Sequence, residues 1–154
     1  MKPIELDIVN PNRPDVIALI SELDSHLSVL YPPQSTHLLN IEALIQPNIR
    51  FVLALVDAQA AGCGALRLVD GYAEVKRMYV RSQLRGLGVG YRILTYLTSL
   101  ARDSGFSCLR LETGIYQTDA IKLYDRHGFK RCPPFGEYTD DPLSLCYEKH
   151  LPAE

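Results

Sequence analysis

Three glycines at alternate positions, Gly86, Gly88 and Gly90, lie at the end of a run from Glu74 to Tyr91 that reads E-V-K-R-M-Y-V-R-S-Q-L-R-G-L-G-V-G-Y. Glycine has no Cβ, so a ligand can approach such a loop as far as the backbone itself. An amphipathic segment follows, which places the glycines at a helix start. The first N–H groups of a helix have no intrahelical partner, and its dipole adds positive potential there, so this stretch suits a phosphate. The charge pattern points the same way. No acidic residue occurs between Glu74 and Asp103, whereas Lys76, Arg77, Arg81, Arg85, Arg92 and Arg102 all do. A Walker loop would need G-x-x-x-x-G-K-[ST], and no such lysine follows these glycines. A dinucleotide fingerprint would need an early alternating β/α unit, which is not what precedes them.

The elements that position the loop can be read from hydrophobic spacing. Ile4, Leu6 and Ile8 alternate with charges, as in a half-buried strand. Pro14 suits a first helical position, and Val16, Leu19, Ile20, Leu23, Leu27 and Leu30 continue at helical spacing until Tyr31-Pro32-Pro33 stops the run. A shorter helix is expected from Thr36 to Ile45. Arg50 to Val56 reads as a buried strand, followed by a hairpin loop over Asp57 to Gly62 and a strand to Val69. Asp70-Gly71 is a two-residue hairpin signal, so Tyr72 to Val80 pairs back and leads into the glycines. Beyond them, Val89, Ile93, Leu94, Leu97, Leu100 and Ala101 mark a helix ended by Gly105. Cys108 to Thr113 is a fifth strand, joined through a parallel β-α-β crossover. Thr118 to His127 is a last helix. Pro133 to Gly136 is a turn, and Leu143 to Lys149 a last strand.

A chain of 154 residues with 47% hydrophobic content can bury one substantial core, so a single domain over residues 1–154 is expected. A net charge of −2 gives no overall attraction to nucleic acid or an anionic membrane. The charged N-terminus and the short apolar runs predict neither a signal peptide nor a membrane span, hence a cytoplasmic location. Cys63, Cys108, Cys132 and Cys146 form no C-x-x-C pair, and the histidines share no metal spacing, so reduced core cysteines and no catalytic metal are expected.

Taken together, R-G-L-G-V-G at a strand-to-helix turn after an antiparallel meander, followed by A-I-K-L-Y-D-R-H-G-F, resembles the GNAT family of acetyl-CoA-dependent N-acetyltransferases over nearly the whole chain. Arg85, Gly88 and Gly90 match its Q/R-x-x-G-x-G/A motif, and Tyr124, Gly128 and Phe129 its tyrosine before a Gly-Phe pair. The resemblance implies a mixed α+β fold: a mostly antiparallel twisted sheet of six to seven strands flanked by about four helices, with a β-α-β acyl-CoA-binding core. It implies acetyl-CoA as cosubstrate, held by strand residues Met78, Tyr79 and Val80 through their backbone. The phosphates then fall to Arg85, Gly86, Leu87, Gly88, Val89, Gly90 and Tyr91, and a further contact to Gln117, where many relatives carry asparagine. Asp119 is the alternative to Gln117.

For catalysis it implies Glu74 as general base, directly or through water, against the alternative of a surface carboxylate on a strand edge. Tyr124 is implied as the proton donor to the leaving thiolate, against the alternative of a core aromatic. The acceptor is expected near Tyr31, Arg77 and Tyr138, with His26, His37, Arg67, Phe135, Glu137, Asp140 and Asp141 close by. The expected partner is a small-molecule amine, and a homodimer follows family habit. Protein or peptide amines, or a non-catalytic acyl-CoA-binding module, are the competing readings.

Overall fold

The computed structural model describes residues 3–35 and 40–152. β1 (Ile4–Ile8) pairs antiparallel with β2 (Ile49–Val56), whose side chains from Phe51 onward are apolar on both faces because both are covered. Phe51 and Leu53 pack with Val16, Leu19 and Ile20 of α1 (Pro14–Leu30). Val52, Ala54 and Val56 pack with Ile93, Leu94 and Leu97 of α3 (Val89–Asp103) on the opposite side. Helix α1 begins with proline in its first turn and ends at Tyr31, whose backbone turns extended before Pro32. Of the expected second helix, residues 36–39 lie outside the described residues. The remainder is α2 (Ile41–Leu44), begun by Asn40, whose side chain accepts from the Ala43 N–H at 2.9 Å.

The hairpin after β2 is tighter than expected. β3 spans Gln59–Val69, and the turn is only Asp57-Ala58, both left-handed with φ of 52° and 61°. Pairing of Val56 with Gln59 leaves room for two residues alone, and a two-residue turn whose twist matches the strands needs positive φ at both. β4 (Tyr72–Val80) returns through Asp70-Gly71 as expected. α3 then crosses to β5 (Cys108–Gly114), which pairs parallel with β4. After α4 (Thr118–Arg126), a three-residue strand that the sequence reading missed, β6 (Lys130–Cys132), forms the sheet edge beside β7 (Ser144–His150). Among the described residues the sheet has seven strands, in the order β1-β2-β3-β4-β5-β7-β6.

Two irregularities position the site. β4 and β5 pair only through Ala73–Val75 and Leu109–Leu111, so their C-terminal portions splay apart. Along β4 the register to β3 shifts between Cys63↔Tyr79 and Ala65↔Lys76, a bulge centred on Arg77, whose φ is 58°. A left-handed non-glycine residue costs roughly 1–2 kcal/mol and persists only where its surroundings hold it. Here the Arg77 guanidinium binds Asp24 of α1 at 2.6 Å, and the Cys63 thiol donates to the Arg77 carbonyl at 3.4 Å.

Candidate active site

The bulge sorts the side chains of β4. Ala73, Val75, Met78 and Val80 join the α3 face, while Lys76 and Arg77 both point to the α1 side with Glu74 and Tyr79. A cleft of about 80 Å³ opens where β4 and β5 part. Its walls include Leu23, Leu27, Tyr31, Lys76, Arg77, Met78, Glu112, Gln117 and Tyr124. α1 and its extended end form the roof. Tyr31 lies so close over β5 that a Cβ on Gly114 would collide with its ring, and its hydroxyl accepts from the Tyr116 N–H at 2.9 Å.

Tyr124 enters from α4, packed edge-on to Phe129 and against Tyr147. Burial pushes its phenol above the ordinary tyrosine range, and the Glu112 carboxylate adds to the shift. It therefore keeps its proton at neutral pH. On the other side of the splay stands Lys76, whose ammonium is made more acidic by burial and held in the charged form by Glu74 and Glu112.

The glycine loop closes the lower end. A short 3-10 turn, Ser82–Leu84, carries the chain from β4, and Arg85 Nε donates back to the Val80 carbonyl at 3.1 Å. Gly88 begins α3 at φ 84°, with no side-chain cap and no acidic residue in the first turn. At Gly86 and Gly88 a Cβ would meet nothing within 4 Å, so the space beside the helix start is open. Gly90 serves packing instead, since a Cβ there would come within 3.2 Å of Leu123 on α4. A hollow beside the loop is lined by Leu87, Gly88, Tyr91, Arg92 and Arg126.

The family model for the acetyltransferase (GNAT) family matches residues 17–129, which span both the bulged strand and the glycine loop. The chain belongs to the GNAT family of acetyltransferases. This acetyltransferase is 46% identical over 144 residues to the IAA acetyltransferase of Azospirillum brasilense, covering 92% of this chain and 94% of that one. A Klebsiella pneumoniae structure assigned as an acyl-CoA N-acyltransferase superposes with a TM-score of 0.82 at 34% identity, covering 96% and 97% of the two chains. The PaiA N-acetyltransferase of Thermoplasma acidophilum, solved with coenzyme A, shares the fold at a TM-score of 0.72 and 18% identity, covering 96% and 99%.

The acetyltransferase is thus an acetyl-CoA-dependent enzyme, and its residues fit that cosubstrate. The open, uncapped and acid-free start of α3 suits a pyrophosphate, and among the described residues the splay leaves the β5-facing side of β4 beyond Val75 without a strand neighbour. Among the described residues no group of His, Cys, Asp and Glu could hold a metal, and no helix is long and apolar enough to cross a membrane.

The residues expected from sequence divide into two sets. Tyr31, Arg77, Met78, Gln117 and Tyr124 meet on the cleft. Gln117 also ties the loop after β5, its Oε1 accepting from the Gly114 N–H at 3.0 Å and from Thr113 Oγ1 at 3.2 Å. Glu74 and Tyr138 do not line the cleft. Glu74 is 1% exposed, and its Oε2 accepts from the Tyr138 hydroxyl at 2.5 Å. Lys76 Nζ donates to the same hydroxyl at 2.7 Å, and Arg67 stands 3.7 Å from the other carboxylate oxygen. Burial beside Glu74 holds the Tyr138 phenol far above its ordinary range. The Tyr79 hydroxyl turns away to Glu22 of α1 at 3.2 Å. His26 and Glu137 are exposed, Asp141 Oδ1 accepts from the Leu143 N–H at 2.9 Å before β7, and His37 lies outside the described residues.

Lys76 and Glu112 also line the cleft, and neither was among the catalytic or acceptor residues expected from sequence. Each lies one residue beyond the paired part of its strand, a position set by where the parallel ladder ends. Alternation along β5 puts Glu112 on the face opposite Leu109 and Leu111, but no local pattern announces the splay.

Proposed function

We propose that this acetyltransferase transfers an acetyl group to the primary amine of a small molecule by direct attack in a ternary complex. The observation that carries this reading is the course of the cleft. It runs through the sheet from Tyr124 on the α4 side to Lys76, Arg77 and Glu112 under α1, so a proton donor and the polar acceptor groups face one gap from opposite sides. At about 80 Å³ beneath a helical roof, it favours a small acceptor over a folded protein surface. The name of the Azospirillum relative also favours a small molecule.

Acetyl-CoA supplies a thioester, with an acyl carbon open to an amine nitrogen and a sulfur that can leave. Backbone groups of Met78, Tyr79 and Val80 bind its arm in the manner of an added strand. The amides from Gly86 through Tyr91, with Arg85, hold its phosphates. Tyr124, kept protonated by burial, gives its hydroxyl proton to the departing sulfur. Glu74, with Tyr138 and Lys76, fixes the acceptor side of β4.

A panel of small primary amines and short peptides, each incubated with acetyl-CoA while free thiol is monitored, tests the proposal. Amine-dependent thiol release with small amines is expected. Release with peptides alone would transfer the reading to protein amines, and acetyl-CoA binding with no release from any amine would support a non-catalytic module.

A further inference from the structure

We propose that Glu112 is the carboxylate that receives the acceptor's ammonium in the cleft and takes its proton; this rests on the amine-acetylating reading above. The placement follows from the end of the β4–β5 ladder. Val75 pairs with Leu111, so the next residues, Lys76 and Glu112, are the first pair that the splay separates. Both line the cleft. Glu112 shares the sheet face of Arg110, which stacks on Tyr72 and Phe135, and of Gly114, which lies beneath Tyr31. That is the side covered by α1. Tyr124 reaches the same gap from α4, packed with the residues of the α3 face. A base and an acid on opposite sides of the gap are what an attacking nitrogen and a departing sulfur require, since the two approach and leave the acyl carbon from different directions.

Glu74 has the right chemistry in the wrong place. It is buried, capped by the Tyr138 hydroxyl and absent from the cleft wall. Glu112 is fixed as a cleft-wall group, because Ser144 Oγ on the neighbouring β7 donates to its Oε2 at 2.6 Å. Among the described residues, the titratable groups around it include Lys76 on β4, Tyr31 at the end of α1, Tyr124 on α4, Tyr138 in the loop before β7 and Cys146 on β7. The phenols and the thiol all have their proton affinity raised by the Glu112 charge, so they stay neutral around it. Lys76 is its cationic counterpart across the gap.

An ammonium gives one proton to Glu112, which passes it to solvent, and the neutral nitrogen bonds to the thioester carbon. The carbon–sulfur bond breaks, and the sulfur takes the Tyr124 proton. The second proton shed by the nitrogen restores Tyr124, leaving an amide, a free thiol and one proton released.

The test uses Glu112→Gln, Glu112→Asp and Glu74→Gln, with the panel amine that gives the fastest thiol release. Calorimetry without acetyl-CoA measures amine binding, and kcat/KM is followed against pH. Glu112→Gln is expected to weaken amine binding about tenfold and to lower kcat/KM about 100-fold with loss of the acidic limb. Its acetyl-CoA affinity should be unchanged. Glu112→Asp should keep the limb at reduced rate, and Glu74→Gln should keep it too. An acidic limb and amine affinity that survive in Glu112→Gln, or a limb lost in Glu74→Gln instead, overturn the role of Glu112 alone. No amine-dependent thiol release from the unaltered protein overturns the acceptor reading as well.

Discussion

Tyr124, which we propose as the proton donor, owes its protonated state to packing. Its ring sits among Phe129 and Tyr147, and the resulting loss of water keeps the phenol protonated well past neutral pH. Tyr124→Phe preserves that packing and removes only the transferable proton. We expect kcat to fall about 100-fold with acetyl-CoA affinity unchanged, as measured by steady-state kinetics beside calorimetry. Turnover equal to the unaltered enzyme would reduce Tyr124 to a core aromatic.

His127 follows the opposite logic. Lys149 Nζ stands 3.1 Å from its Nδ1 and donates to its carbonyl at 2.7 Å, which makes Nδ1 the acceptor and leaves Nε2 to donate to Thr95 Oγ1 at 3.1 Å. Burial and the Lys149 charge hold its pKa below the ordinary 6.5. The unfolded chain therefore binds a proton that the folded chain refuses, and this site's stability contribution falls as pH drops below about 6.5. His127→Asn, which keeps an acceptor for Lys149, should flatten the dependence of Tm on pH between about 6.5 and 5. An unchanged slope would assign the acid sensitivity elsewhere.

At the level of elements, the site is made by interruptions in regular structure. The bulge at Arg77 turns two neighbouring side chains, Lys76 and Arg77, to the same face, and the splay gives them somewhere to point. The start of α3 works by the same economy of side chains, because Gly88 offers backbone where another residue would offer a cap. Gly88→Glu would put a bulky anion into the open space beside that helix start, on a backbone at φ 84°. We expect acetyl-CoA affinity to fall at least about 100-fold while the circular dichroism spectrum is retained. Affinity within twofold of the unaltered protein would remove the phosphates from this loop.

For the whole molecule, the sheet is a wall with two sides that work together. α3 packs on one face and α1 roofs the other, so in the proposed function the cosubstrate would bridge β4 and β5 where the ladder leaves off, with the acceptor under α1. A ligand that binds only the folded state adds RT ln(1 + [L]/Kd), about 2.7 kcal/mol at a hundredfold excess over Kd. For a domain of this size, that corresponds to a rise in Tm of roughly 5–10 °C, read by thermal denaturation with and without coenzyme A. ATP or NAD at the same multiple of the coenzyme A Kd should shift Tm far less. Equal shifts would indicate a general polyphosphate site.

What the sequence by itself determined was everything with a short-range cause. Spacing of apolar residues placed the helices and most strands, and glycines, prolines and Asp-Gly marked their ends. Two local motifs, around Arg85 to Gly90 and Tyr124 to Phe129, carried the family resemblance that the family match later supported. β6 escaped because three edge residues give no period, and the turn at Asp57-Ala58 because pairing with β2 forced a left-handed backbone on residues that do not advertise it. The cleft depended on contacts far apart in the chain. Only the folded sheet, by ending the β4–β5 ladder at Val75 and Leu111, brought Lys76 and Glu112 to the cleft, while Tyr138, 64 residues away, closed over Glu74.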